Sequence, residues 1–127
     1  MILAAGFGSR LKPLTLSLPK PMLPVLNRPL LEHVLNYLSS QGIQDIIVNV
    51  HHLPDKIVEY FGDGTDFGVR LQFSREEEIL GTAGGLKKAQ SFLEKETFLV
   101  INSDVLTDID LDKALSFHKE KKSCLTL

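Results

Sequence analysis

One stretch constrains this chain more than any other: Leu3-Ala-Ala-Gly-Phe-Gly-Ser-Arg-Leu-Lys-Pro-Leu-Thr-Leu-Ser-Leu-Pro-Lys-Pro-Met-Leu-Pro-Val25. It grows out of an apolar run, Met1 to Ala5, that reads as a buried strand, and it breaks at Gly6 and Gly8. Arg10 follows two positions later, and Lys20 stands between Pro19 and Pro21. Glycines let a backbone approach a ligand closely and aim its N–H groups at anionic oxygens. In an open α/β sheet, a strand that ends in such a turn is where phosphate groups bind. Two common phosphate loops are excluded. The dinucleotide fingerprint needs a third glycine where Leu11 stands, and the P-loop needs a Gly-Lys-Ser/Thr tripeptide that the chain lacks.

Hydrophobic periodicity organises the remainder. Leu30, Leu31, Val34, Leu35 and Leu38 recur at helical spacing after Pro29, and Gly42 terminates that helix. Asp45 to Val50 is a short β-branched run expected to be a buried parallel strand. Pro54 to Phe61 reads as a helix with Ile57, Val58 and Phe61 on one face, and Val69 to Phe73 as a strand nearer the sheet edge. Glu76 to Gly85 is a loop opening a helix that runs to about Phe92. Thr97 to Ile101 is the next strand, ending in Asn102-Ser-Asp104. Leu111 to about Lys121 is a helix with Leu111, Ala114 and Leu115 facing inward, and a last strand begins near Cys124. Alternating strands and helices imply a mostly parallel sheet covered on both faces, a Rossmann-like three-layer α/β/α sandwich.

Composition narrows the partners. The 127 residues suffice for one domain with a sizeable core. Fourteen basic against sixteen acidic residues leave a net charge of −2, so nucleic acid is not an expected partner. No apolar run approaches a membrane span. The single Cys124, read as a small buried apolar residue, cannot form an internal disulfide and fits a reducing, cytoplasmic setting. The chain ends on what reads as the first residues of a strand, so residues 1–127 are expected to be the N-terminal part of a longer domain.

Three polar constellations fall at strand C-termini, where ligands bind in such sheets. The first is Gly6, Gly8, Ser9 and Arg10, whose guanidinium matches phosphate oxygens bidentately; an ordinary tight turn with a solvated Arg is the plain alternative. Lys20, stiffened by its flanking prolines, would place a fixed ammonium near the same site, whereas alone it would read as a surface lysine. Lys12 is the weaker candidate. The second is Gly81-Thr-Ala-Gly-Gly85, where Gly84 and Gly85 permit close approach and Thr82 either bonds a ligand or caps the helix. Glu78 could accept from a base N–H or belong to a solvated acidic loop. The third is Asp104, whose carboxylate can hold Mg²⁺ or begin a turn; Asp108 and Asp110 suit the start of the following helix. His51 and His52 are adjacent and would point to opposite faces, so ordinary hydrogen bonds are expected of them rather than a shared metal.

The combination Gly6-x-Gly8-x-Arg10, Pro13-Leu-Thr15 and Pro19-Lys-Pro21 resembles the signature of the sugar-phosphate nucleotidylyltransferases, also called NDP-sugar pyrophosphorylases. The resemblance implies the nucleotide-diphospho-sugar transferase fold. It implies transfer of a nucleotidyl group from a nucleoside triphosphate to a sugar 1-phosphate, releasing pyrophosphate. It also implies a nucleotide site built from Leu3, Ala4, Ala5, Gly6, Gly8, Ser9, Arg10, Lys20, Gly81, Thr82, Gly84 and Gly85. Arg10 and Lys20 would be the catalytic cations, with Arg10 on the β- and γ-phosphates and Lys20 at the α-phosphate, and Asp104 would hold Mg²⁺. Glu76-Glu-Glu-Ile-Leu-Gly-Thr-Ala-Gly and Asn102-Ser-Asp-Val are most similar to the mannose-1-phosphate guanylyltransferase branch, although Gly84-Gly85 departs from the Gly-Pro common there. The family also contains UTP- and dTTP-using branches. In that family a further metal ligand and most sugar contacts lie later in the chain, so low turnover is expected of residues 1–127 alone, and assembly into a homo-oligomer is left open. The readings from other classes are a non-catalytic nucleotide-sugar sensor and a phosphate-loop hydrolase, the latter lacking its motif.

Overall fold

The computed structural model describes residues 1–94 and 96–127. Four strands form a parallel sheet in the order β5-β4-β1-β6. They are β1 (Ile2–Leu3), β4 (Asp45–Val50), β5 (Arg70–Arg75) and β6 (Ile101–Asn102). A two-strand antiparallel hairpin, β2 (Pro24–Val25) and β3 (Arg28–Pro29), leads into helix α1 (Leu30–Ser40). Helices α2 (Pro54–Phe61), α3 (Gly81–Lys88), α4 (Gln90–Leu93) and α5 (Leu111–Lys121) complete the chain. From β1 the chain builds β4 and β5 on one side, then crosses to lay β6 on the other. Strand order therefore reverses at β1, and the crevice at such a reversal is the usual ligand position in open α/β sheets.

Side-chain alternation along β4 sorts the core into two layers. Ile46, Val48 and Val50 join Ile2 and Ala4 beneath α1 (Leu31, Val34, Leu35, Leu38) and α2 (Ile57, Phe61). Ile47 joins Met1 on the opposite face, beneath Ala89 and Leu93. A strand buried on both faces is what a continuous β-branched run produces, and successive residues supply the two layers because the strand period is two. The three-layer α/β/α arrangement expected from the sequence is present, and β5 lies at a sheet edge as its alternation suggested.

Several expectations are corrected. The run Thr97–Ile101 yields only Ile101–Asn102 as strand, and Phe98 and Val100 are exposed, because β6 pairs with β1 on one side alone. No strand forms near Cys124, which is exposed rather than buried. On α5 only Leu111 packs against the core; Ala114 and Leu115 are exposed, and the helix carries no buried residue. The helix expected to run to Phe92 is interrupted at Ala89. Asp110 does cap α5, accepting from the Lys113 backbone N–H at 3.0 Å.

Candidate functional site

A cleft of about 240 Å³ opens at the C-terminal ends of β1 and β6. The end of β1 and its turn contribute Leu3, Ala4, Ala5 and Gly6; the end of β6 contributes Asn102, Ser103 and Asp104. Gly81 and Thr82 enter from the start of α3, with Lys20 and Pro21 opposite. One part of each constellation that the sequence placed at strand ends meets here: Gly6 with Lys20, Gly81 with Thr82, and Asp104.

Lys20 and Asp104, 84 residues apart, form an ion pair across the cleft. Lys20 is aimed by its neighbours. Pro19 and Pro21 are both fully buried, and a tight turn closes when the Met22 N–H donates to the Pro19 carbonyl at 2.8 Å. Proline fixes φ on each side, so the lysine's backbone has little freedom.

Gly8 is glycine for two reasons. Its φ of +62° lies in the left-handed region, and a Cβ there would meet the Thr15 methyl at 2.8 Å. Gly6 has neither constraint: nothing stands within 4 Å of where its Cβ would be, so its bare backbone faces the cleft. Arg10 lies on the exposed turn Ser9–Leu11 and has no hydrogen-bond or ion-pair partner among the described residues. Gly8, Ser9 and Arg10 stand outside the cleft lining.

The second glycine pair serves the fold. Gly84 lies inside α3, where a Cβ would press on Leu80 at 2.7 Å. Gly85 is buried against Asn49 and Glu76, with a Cβ falling 2.8 Å from Asn49 Nδ2 and 3.0 Å from Glu76 Oε1. The close approach at Gly85 is therefore by protein side chains. Gly81 does line the cleft, and its φ of +67° turns the chain into α3. Thr82 lies within the first turn of α3 rather than at the cap, which is Leu80 and makes no side-chain bond.

Asn49 lines the cleft and was not legible as a site residue; its buried partner Glu76 stands behind the lining. Asn49 is the polar exception inside a buried strand, 3% exposed, and Glu76 is 5% exposed. The Ala4 N–H donates to Asn49 Oδ1 at 2.8 Å, Asn49 Nδ2 donates to Glu76 Oε1 at 2.8 Å, and the Leu80 N–H donates to Glu76 Oε2 at 3.0 Å. The available signal was an Asn interrupting Ile46–Val50, since a polar residue in such a run must find a partner. His51 and His52 make ordinary hydrogen bonds, as expected: His51 Nδ1 to the Glu76 carbonyl and His52 Nε2 to the Thr15 carbonyl, each at 2.8 Å.

A parallel sheet with this order, and a cleft of this lining at the reversal, is the nucleotide-diphospho-sugar transferase type of fold. The profile of the Nucleotidyl transferase family matches residues 1–127, and the chain belongs to that family. It is 44% identical, over all of its own length and 36% of the other protein, to a UTP–glucose-1-phosphate uridylyltransferase of Synechocystis. It is 39% identical, over all of its length and 35% of the other, to a mannose-1-phosphate guanylyltransferase of Mycobacterium tuberculosis. Among solved structures, HddC from Yersinia pseudotuberculosis complexed with GMP-PN superposes with a TM-score of 0.82 at 34% identity, over 92% of this chain and 52% of that one. The chain spans about a third of the length of the curated relatives it matches. Among the described residues, no helix is long and apolar enough to cross a membrane.

Proposed function

We propose that this chain forms the nucleotide-binding part of a sugar-1-phosphate nucleotidyltransferase. The reaction joins a nucleoside triphosphate and a sugar 1-phosphate into a nucleotide-sugar and releases pyrophosphate. The single observation that carries the reading is the Lys20–Asp104 pair, a cation and a carboxylate facing one cleft beside the turn of Gly6.

In this reading the sugar phosphate oxygen attacks the α-phosphorus in line and the bond to pyrophosphate breaks. Positioning and charge neutralisation supply the catalysis. Lys20 meets charge at the α-phosphate. Arg10, carried by the turn that Gly8 opens, holds the departing pyrophosphate outside the rim. Gly6 lets the triphosphate lie against bare backbone, and Gly81 and Thr82 receive the nucleoside.

The donor set fits Mg²⁺ in one way. Among the described residues no three His, Cys, Asp or Glu side chains gather to cage a metal. Mg²⁺ is commonly held by one or two carboxylates together with substrate phosphates, and Asp104 supplies one carboxylate on the cleft. Bound there, Mg²⁺ would neutralise phosphate charge. Releasing Asp104 for that role requires Lys20 to turn from it toward the substrate.

GTP with mannose 1-phosphate is the proposed pair, on the likeness of the Glu76–Gly84 and Asn102–Val105 segments to the guanylyl branch. UTP with glucose 1-phosphate is the second reading, favoured by the 44% identity to a uridylyltransferase. Pyrophosphate release by the natural full-length polypeptide, over a panel of GTP, UTP, dTTP, CTP and ATP with Mg²⁺ and each sugar phosphate, decides between them. Turnover with GTP and mannose 1-phosphate is expected. Turnover with UTP alone transfers the assignment. Nucleotide-sugar binding without pyrophosphate release identifies a sensor instead.

A further inference from the structure

The glycine turn carries no strand pairing between Ala4 and Leu23, so something else must hold it. Its hydrogen-bonded fixed points converge on Thr15. That residue is 2% exposed and is the one buried member of its turn. Its hydroxyl donates to the Gly8 carbonyl at 2.9 Å. The same carbonyl accepts the Leu11 N–H at 2.8 Å, the bond that closes the turn bearing Arg10. The Thr15 methyl fills the space beside Gly8. Its own carbonyl accepts from His52 Nε2 at 2.8 Å.

His52 lies on the connection between β4 and α2, which belong to the packed body of the fold. The same region adds two further holds. Lys56 Nζ donates to the Ser17 carbonyl at 2.7 Å. The Phe7 ring, between the two glycines, stands edge-on to His51 at 5.1 Å and tilted against His52 at 5.8 Å.

We propose that Thr15 and His52 are positioning residues of the nucleotide site: His52 holds Thr15, and Thr15 sets the Gly8 carbonyl and with it the turn that presents Arg10. Neither needs to touch substrate. Groups aimed at a phosphate act only if they are ordered before it arrives, and a loop without ladder bonds obtains that order from side chains. The kinetic consequence rests on the nucleotidyltransferase reading; the ordering of the turn does not.

The test uses the natural full-length polypeptide and two pairs of variants. Thr15→Val keeps the shape and loses the hydroxyl, while Thr15→Ser keeps the hydroxyl. His52→Leu loses the donor, while His52→Gln keeps one. Amide hydrogen exchange over residues 7–17 and steady-state KM and kcat for the nucleotide are measured for each. Thr15→Val and His52→Leu are expected to speed exchange in that segment, and to raise the nucleotide KM, by about tenfold, the equivalent of one hydrogen bond. Thr15→Ser and His52→Gln are expected to return both readouts to within about threefold of wild type. Wild-type exchange in both damaging variants overturns the proposal, as does failure of both conservative variants to restore it. Should Thr15→Val not fold, the half-buried His52 pair decides alone. A wild-type protein that turns over no nucleotide removes the enzymatic reading, and the exchange measurements still judge the latch.

Discussion

The Asn49 side-chain amide donates to the Glu76 carboxylate at 2.8 Å, and both residues are buried. Through this pair the end of β1, at the Ala4 N–H, is tied to the loop that opens α3, at the Leu80 N–H. The end of β1 and the start of α3, which both line the cleft, are thereby tied by a chain of bonds through buried side chains. Such a network stiffens a site when every member is satisfied, and no buried side-chain nitrogen or oxygen among the described residues lacks a partner.

Breaking that chain is expected to be costly. Asn49→Leu leaves the Ala4 N–H and one Glu76 oxygen unpaired, a loss of about 2–4 kcal/mol from desolvated groups without partners. Gly85→Ala pushes a methyl into the same pair and should cost about 1–3 kcal/mol by overpacking. Denaturant midpoints of the full-length protein check both. Wild-type stability in Asn49→Leu would show that the network contributes little.

The two glycines of the first turn should separate by substitution. Gly8→Ala forces a non-glycine residue to a φ of +62° and drives its Cβ onto Thr15, so it should destabilise by about 1–3 kcal/mol. Gly6→Ala meets no atom within 4 Å and should leave stability within about 0.5 kcal/mol, while its methyl stands where the triphosphate is proposed to lie. Nucleotide titration should show weakened binding in both, with loss of stability in Gly8→Ala alone.

Lys20→Ala tests function against stability. The pair's side chains are 30% and 34% exposed, and ion pairs this open contribute about 0–1 kcal/mol. The melting temperature should therefore hardly move. Turnover should fall by about 10²–10³-fold, the usual loss when a group that meets developing charge is removed. Asp104→Asn should behave likewise and raise the Mg²⁺ concentration needed for half-maximal rate. Unchanged turnover in Lys20→Ala would remove the lysine from the reaction.

Acid should loosen the first turn of α5. The Lys113 backbone N–H holds the Asp110 carboxyl below the ordinary carboxylate range, and the Arg70 side-chain hydrogen bond does the same for Asp45. Both folded values are depressed. The stability they contribute is complete above the unfolded carboxylate pKa of about 3.9 and is lost as pH falls through the folded value. Amide exchange in the first turn of α5 should accelerate in that window, relative to its intrinsic pH dependence. Asp110→Ala should show the faster exchange already at neutral pH. Identical pH profiles for wild type and Asp110→Ala would refute the cap's role.

What could be read from the residues was whatever repeats or is spaced locally. The Leu31–Leu38 stripe gave α1, the β-branched run gave β4, and the alternation after Val69 gave an edge strand. The fate of α5 was not legible. Its apolar positions follow helical spacing as those of α1 do, yet beyond Leu111 they remain exposed, because periodicity defines a face without saying what stands opposite it. The same holds for Phe98 and Val100, which lead into β6 where it has one neighbour, and for the exposed Cys124.

The sequence by itself determined the kinds of groups available and their local stiffness: a strand running into a glycine turn, a lysine between prolines, an aspartate after an apolar run. Only the tertiary structure decided who meets whom. Lys20 faces Asp104 and Asn49 joins Ala4 to Glu76 because parallel strands bring distant segments to one sheet end. Spacing along a chain holds no record of such crossings. It also set the second glycine pair against protein side chains and left Arg10 on an exposed turn, since whether a glycine's bare face meets a ligand or a neighbour depends on packing across the sheet.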